Sequence, residues 1–384
     1  MFKERLKSVM IAVLFMSLLA LTLLNVMYDR GGEAFSPAAP FSPTAISEAA
    51  RPAVAAVVRD GEMFAACSGD AAAGAVYNRF RTLLGEALAS ASDRRPITRA
   101  AWIAVMEENC VFFEFLDETP VWALAEGISF EASPAVEGIN AKSFILSGGG
   151  LFISAGNEYF RCEVFMDFAI PEHTESQLSA ARFVNGVIVT DRGNEYPEAV
   201  LTDRYRDEPY LSELLAAMGF NPNTNYRYTQ ADGDIVFVDE QRTLHVGPSG
   251  RVTYRDGTVY QYGGTDEREA LKLCLNSIPS GPAFWGDGQL NFSGMEAKDG
   301  VVTAEFNYAL NGAAFIGCRS VFTVRGANIT EADIQLCPAV FGERSEELIP
   351  QRQAALLLSE GSGLELRYSE AEDGIWLPQW HERD

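Results

Sequence analysis

From Ser8 to Tyr28 the chain carries no charged residue (SVMIAVLFMSLLALTLLNVMY), and a short basic start, MFKERLK, precedes the run. No other feature limits its options as tightly. About twenty apolar residues, each rising about 1.5 Å, match a hydrocarbon core about 30 Å thick. The run is predicted to be a single transmembrane helix, 8–28, behind a cytoplasmic tail, 1–7. Lys3, Arg5 and Lys7 precede it against Glu4 alone, while Asp29, Arg30 and Glu33 follow. The positive-inside bias then keeps the N-terminus cytoplasmic and the bulk of the chain extracytoplasmic, attached to the cell membrane. A cleaved secretory signal is the competing reading, but its apolar core usually spans about 7 to 15 residues and ends in a small-x-small site. This run is longer and ends in NVMY, and no cysteine follows until Cys67, which removes lipoprotein-type acylation. Either reading exports the remainder.

Charge then excludes a class of partner. The chain has 53 acidic against 30 basic side chains, a formal balance of −23. Displacing counterions from phosphates needs clustered Lys and Arg, so nucleic acid is not expected as a partner. Residues 29–47, with prolines among small residues, read as a tether. The rest is too long for the usual single domain, and the charged stretch Thr202 to Glu208 has no apolar period, so domains over 48–206 and 207–384 are expected. The cysteines form no C-x-x-C pair, which removes thioredoxin-like and zinc-ribbon readings. Cys110, Cys162 and Cys318 sit beside apolar runs, where cysteine acts as a small hydrophobe. Cys318 and Cys337 lie in runs able to pair as neighbouring strands, which makes them candidates for a disulfide in an oxidising compartment.

Hairpins and helices mix without the regular alternation of a parallel sheet, so the fold class is expected to be α+β, with mixed antiparallel sheets plus helices in both domains. Pro52 to Ala66 reads as a hairpin turning at Asp60-Gly61. Val76, Phe80, Leu84 and Leu88 recur at helical spacing, and Thr98 can cap a second helix through Met106. Strands are expected at 111–116, 143–146, 151–154 and 159–168, a helix at 174–183, and an extended run at 186–190. In the second block a helix over 210–218 ends at Gly219, and a meander turns at Asp232-Gly233 and Ser249-Gly250. A helix over 266–278, strands at 289–297, 301–310, 318–324 and 329–336, a helix from Pro350 to Leu358 and a docked tail complete the reading.

Chemical signatures are missing. No H-E-x-x-H, S-x-x-K, G-x-S-x-G, Walker loop or G-x-G-x-x-G occurs after the apolar run. His173, His245 and His381 stand apart, and a lone imidazole builds neither a triad nor a metal cage. Ser147 to Gly150 (SGGG) reads as a hairpin turn rather than a phosphate cradle. The chain is therefore expected not to be an enzyme and to need no cofactor. A membrane-tethered envelope module binding a ligand through Trp122 or Trp285 is the alternative.

Tyr210 to Gly257 (YLSELLAAMGFNPNTNYRYTQADGDIVFVDEQRTLHVGPSGRVTYRDG) runs through a short helix, a Gly-Phe-Asn exit, a tyrosine-rich strand, an acidic-Gly turn, an Arg-Thr-Leu strand and a Ser-Gly turn. This order resembles the YycH/YycI (WalH/WalI) family, accessory regulators of the WalK/WalR (YycG/YycF) two-component system. The second domain is YycI-like in this respect. FNYALNGAAFIGCRSVFTVRGANITEADIQL, the Pro350 helix and the N-terminal run are similar to the same family's terminal strand-and-helix pattern and single span. The resemblance implies a sensor histidine kinase of cell-wall homeostasis as partner, together with a paralogous single-span accessory protein. Contact through the span itself is expected at Ser8, Ala12, Ser17, Ala20 and Asn25. The small residues permit close helix approach and the polar ones can hydrogen-bond a neighbouring helix, while the remaining surface of the run meets lipid.

Overall fold

The computed structural model describes residues 49–383 except 69, 71, 185–186, 192–194, 222–225, 259–264, 360–361 and 373. The apolar run 8–28, with Ser8, Ala12, Ser17, Ala20 and Asn25, lies outside the described residues. Among the described residues no helix is long and apolar enough to cross a membrane. They form a sheet-rich α+β structure built on two large sheets.

The first sheet has nine strands in the order β3-β7-β6-β5-β4-β1-β2-β8-β9. Its members are β1 (Pro52–Arg59), β2 (Glu62–Ala66), β3 (Ser92–Ile97), β4 (Cys110–Pro120), β5 (Asn140–Ser147), β6 (Gly150–Ala155), β7 (Glu158–Glu163), β8 (Ser179–Val184) and β9 (Val187–Thr190). Strand side chains alternate between faces, and here both faces are covered, which explains the near-continuous apolar run VFFEFL. Val57, Val111, Phe113 and Phe115 point toward helix α1 (Ala72–Ser90) and meet Val76, Phe80, Leu84 and Leu88. Their neighbours Val58, Cys110 and Phe112 point the other way, into Trp102 of α2 (Arg99–Val105) and Met106. Leu84 is fully buried, and such a side chain contributes about 1.5–3 kcal/mol. Thr98 caps α2, its Oγ1 accepting from the Ala101 N–H at 3.1 Å. A further helix, α3 (Val121–Gly127), follows β4.

Residues 174–183 depart from the expected helix. A single 3-10 turn covers Thr174–Gln177, and β8 then pairs antiparallel with β2. The run SAARFV is short enough to satisfy either period, and the open edge of β2 decides the outcome.

The second sheet has the order β11-β12-β13-β14-β18-β17-β20-β21-β10-β19, with the β15–β16 hairpin attached to β17. It comprises β10 (Glu195–Leu201), β11 (Tyr226–Thr229), β12 (Ile235–Asp239), β13 (Arg242–Val246), β14 (Arg251–Asp256), β15 (Gln289–Lys298), β16 (Val301–Leu310), β17 (Ala313–Arg325), β18 (Asn328–Gln335), β19 (Ala339–Glu347), β20 (Gly363–Glu372) and β21 (Ile375–Arg383). The chain passes from one sheet to the other between Thr190 and Glu195, ahead of the Thr202–Glu208 stretch. Helices α4 (Glu208–Ala217), α5 (Glu267–Asn276) and α6 (Pro282–Trp285) contribute Leu214, Leu271, Cys274 and Phe284 to the core on one face, against Phe237, Leu244, Phe306 and Phe322. Asp266 caps α5 through the Glu269 N–H at 3.0 Å, and Gly219 at φ 74° ends α4. Cys318 on β17 is disulfide-bonded to Cys337, just past β18. A last helix, α7 (Gln351–Leu356), follows Pro350.

The two sheets meet along β4, β15 and the β16–β17 turn. Ala53, Leu116 and Ala309 form a small buried cluster there, and Asn307 Nδ2 donates to Asp117 Oδ2 at 3.0 Å. At Gly312 (φ 76°) an added Cβ would stand 2.9 Å from the Ala53 Cα across the junction. Arg268 pairs with Glu137 and lies over the Trp122 ring, while Lys272 pairs with Glu126 at 2.9 Å.

Candidate interaction surface

Titratable groups with displaced proton affinity lie chiefly in the cores. Burial pushes the Cys110 and Cys274 thiols up to about 12 and Cys162 up to about 11, which keeps them protonated and unreactive. Burial also raises Tyr77 to about 12, and raises Tyr308 and Tyr368. His381 is held below the usual histidine range by burial and then by Arg367, with Glu365 opposing both. Among the described residues no three His, Cys, Asp or Glu side chains converge as metal ligands.

The two tryptophans singled out in the sequence are structural. Trp285 is 5% exposed, and its indole N–H donates to the Pro279 carbonyl at 2.6 Å while its ring stacks on Tyr308. Trp122 is half-buried against the second core beneath the Arg268 guanidinium. At the sheet junction a recess of about 160 Å³ holds Arg51, Asp70 and Asp287. Asp70 is engaged there at the start of α1, accepting from the Ala72 N–H at 3.0 Å. A shallower cleft of about 500 Å³ lies between α4, β13 and β18. Ser147 to Gly150 is the β5–β6 hairpin turn, as its sequence suggests.

Exposed aromatic surface points elsewhere. Tyr226 and Tyr228 on β11 are 68% and 41% exposed, with ring centroids 5.8 Å apart. Cross-strand pairing puts Tyr228, the buried Val236 and His245 in one row on the face opposite the Phe237–Leu244 core, so His245 is a strand-face residue in the row of an exposed tyrosine. Between the tyrosines Arg227 turns inward, stacking on Phe237 with 5.6 Å to the ring centroid and pairing with Glu208. This fastens β11 to the sheet. The patch carries the YRYT run that the sequence marks only as a strand; pairs of exposed tyrosines at strand spacing were the available signal. Leu356 and Leu357, 59% and 77% exposed at the end of α7, add a second apolar spot.

The fold, two large sheets with helices on both faces of the first and on one face of the second, has a solved counterpart. The crystal structure of YycH from Bacillus subtilis superposes with a TM-score of 0.55, covering 89% of this chain and 95% of that one at 10% sequence identity. The chain has the YycH fold. The likeness to YycH spans both sheets, whereas the motifs legible in the sequence lie at the ends and in the second block. An uncharacterized protein from Eubacterium rectale matches over 53% of this chain and 80% of its own at 10% identity, with a TM-score of 0.27. No family model and no curated protein sequence matches the chain.

Proposed function

We propose that this chain is a membrane-anchored, extracytoplasmic accessory protein that regulates a sensor histidine kinase of cell-wall homeostasis by protein–protein contact, without catalysis of its own. The YycH fold over 89% of the chain carries the reading. Two features support it. The Cys318–Cys337 disulfide suits an oxidising compartment outside the cytoplasm, and the uncharged run Ser8–Tyr28 suits a single anchor with the bulk of the chain beyond it. In this reading the message passes sideways, through helix packing at Ser8, Ala12, Ser17, Ala20 and Asn25 or through the ectodomain. The tryptophans that a ligand-binding envelope module would use are engaged in packing.

The test is affinity capture of the full-length chain from native membranes, beside a version whose span is replaced by an unrelated apolar helix. A histidine kinase is expected with the native chain. Loss on replacement assigns recognition to the span, and retention assigns it to the ectodomain. Membranes that yield neither a histidine kinase nor a related single-span protein refute the reading.

A further inference from the structure

Sheet edges expose unpaired backbone groups, and proteins usually blunt them. Along the described residues most edges of this molecule are blunted. Strand β3 carries Pro96 with Asp93, Arg94 and Arg95 exposed. Strand β9 is covered by the side-chain amide of Gln351, which accepts from the Thr190 N–H at 3.0 Å and donates to the Ile188 carbonyl at 3.3 Å, as a neighbouring strand would. Strand β19 ends in exposed Glu343, Arg344, Glu346 and Glu347. Strand β15 lies against β4 and finishes in Glu296 and Lys298.

Among the described residues strand β11 lacks a proline, a capping side chain and a run of charges. Its side away from β12 meets no strand among the described residues, and it contains no proline and only one charged side chain, Arg227, which is folded back onto Phe237. The ladder also fixes which backbone groups face out. The Gln230 N–H donates to the Asp234 carbonyl at 2.8 Å at the hairpin end. Alternation along an antiparallel pair then directs the Tyr228 and Tyr226 groups to Val236 and Val238, and leaves those of Arg227 and Thr229 on the open side. The edge has a sign as well. Asp232 and Asp234 stand at one end of the β11–β12 hairpin, where Arg206 donates to the Gly233 carbonyl, and Asp239 and Glu240 stand at the other beside Arg242; with the Arg227–Glu208 pair counted, carboxylates still outnumber arginines around the edge.

We infer that β11 is a docking edge that takes an added strand from a partner protein: an extended segment with apolar or aromatic side chains at alternate positions and Lys or Arg at its ends. Backbone pairing to Arg227 and Thr229 supplies attachment, the Tyr226–Tyr228 surface supplies side-chain contact, and the flanking carboxylates select a basic segment over an acidic one. A second copy of this acidic chain is disfavoured by the same charges. The inference deepens the proposed accessory role and rests on it, since it says which part of the ectodomain meets the partner.

The test places a photocrosslinking residue in the full chain in native membranes (Tyr226→benzoylphenylalanine) and combines it with Thr229→Pro. That proline removes an outward N–H but no bond to β12. The expected adduct is a basic extended segment of another protein, mapped by mass spectrometry, and its yield falls at least tenfold with Thr229→Pro. Amide exchange at Val236 and Leu244 reports whether the hairpin survives. Should it melt, Asp232→Lys with Glu240→Lys tests the same edge by charge and is expected to lower the yield by a similar factor. No adduct, an adduct to lipid or to the chain itself, or a yield indifferent to both changes overturns the inference. Kinase capture is scored in the same membranes: if it persists without the adduct, the edge is wrong and the accessory role stands; if both vanish, both fall.

Discussion

Reduction of the Cys318–Cys337 bond gives a perturbation whose size follows from the chain itself. The two cysteines are 19 residues apart, and closing a loop of that length in the unfolded chain contributes about 3 kcal/mol in the chain-entropy treatment. Both side chains are buried, Cys318 at 3% and Cys337 at 0% exposure, so reduction leaves two small hydrophobes in place and changes little besides the link. A Cys318→Ala, Cys337→Ala double variant also removes sulfur volume from the core and should lose somewhat more. The assay is urea unfolding of residues 49–384 monitored by tryptophan fluorescence, oxidised and reduced, with thiols counted in denaturant. The expected result is a lower midpoint on reduction, equivalent to roughly 6 to 12 °C in Tm for a unit the size of the second sheet and its helices. Four thiols, from Cys67, Cys110, Cys162 and Cys274, should titrate before reduction. Superimposable curves, or six thiols without reductant, would refute the reasoning.

Gln351→Ala should cost about 1–3 kcal/mol by leaving the Thr190 and Ile188 backbone groups without their cap, and should speed amide exchange at Thr190; unchanged exchange there would contradict the edge-capping role. Gly312→Ala forces a side chain into a left-handed conformation costing about 1–2 kcal/mol and toward the Ala53 backbone, so its melting temperature should drop by more than that of Gly300→Ala, whose Cβ meets open space at nearly the same φ. For His381 the folded state resists the proton more than the unfolded chain does. Its contribution is therefore complete above about pH 6.5 and declines as the pH falls below that value. His381→Gln should flatten the pH dependence of stability between about pH 7.5 and 5.5, and an unaltered slope would exclude that residue as its source.

Local chemistry made much of the fold legible. Asp60-Gly61, Asp232-Gly233 and Ser249-Gly250 mark real turns, and Thr98 caps a real helix, because each signal acts within a few residues of itself. The candidate disulfide joins the pair that the strand pattern offered. What escaped was decided at long range. Strand β3, SDRRPI, has no apolar alternation from which a strand is expected and becomes one by pairing with β7. Strand β10 carries Pro197 at a register shift opposite β19, and the contact of β20 with β17, a parallel pairing among antiparallel ones, has no local trace. The interaction surface was hidden for a related reason: YRYT announces a strand, but only the sheet order shows it to be the last one.

Strand β10 sits between β21 and β19, yet it is made well before either of them. During synthesis its two sides stay unpaired until β19 and β21 are made, which is the interval in which a bare strand recruits the wrong neighbour. Pro197 and the carboxylate of Glu198, buried at 8% exposure beside Gly342, are awkward choices for an interior strand of a finished sheet. In an unfinished one they are guards: a proline and a charge discourage indiscriminate pairing until the correct partners appear. Chains cut short before Gly363 never gain β20 and β21, and light scattering should show them clumping more when Pro197 and Glu198 are replaced by valine than when both guards are kept.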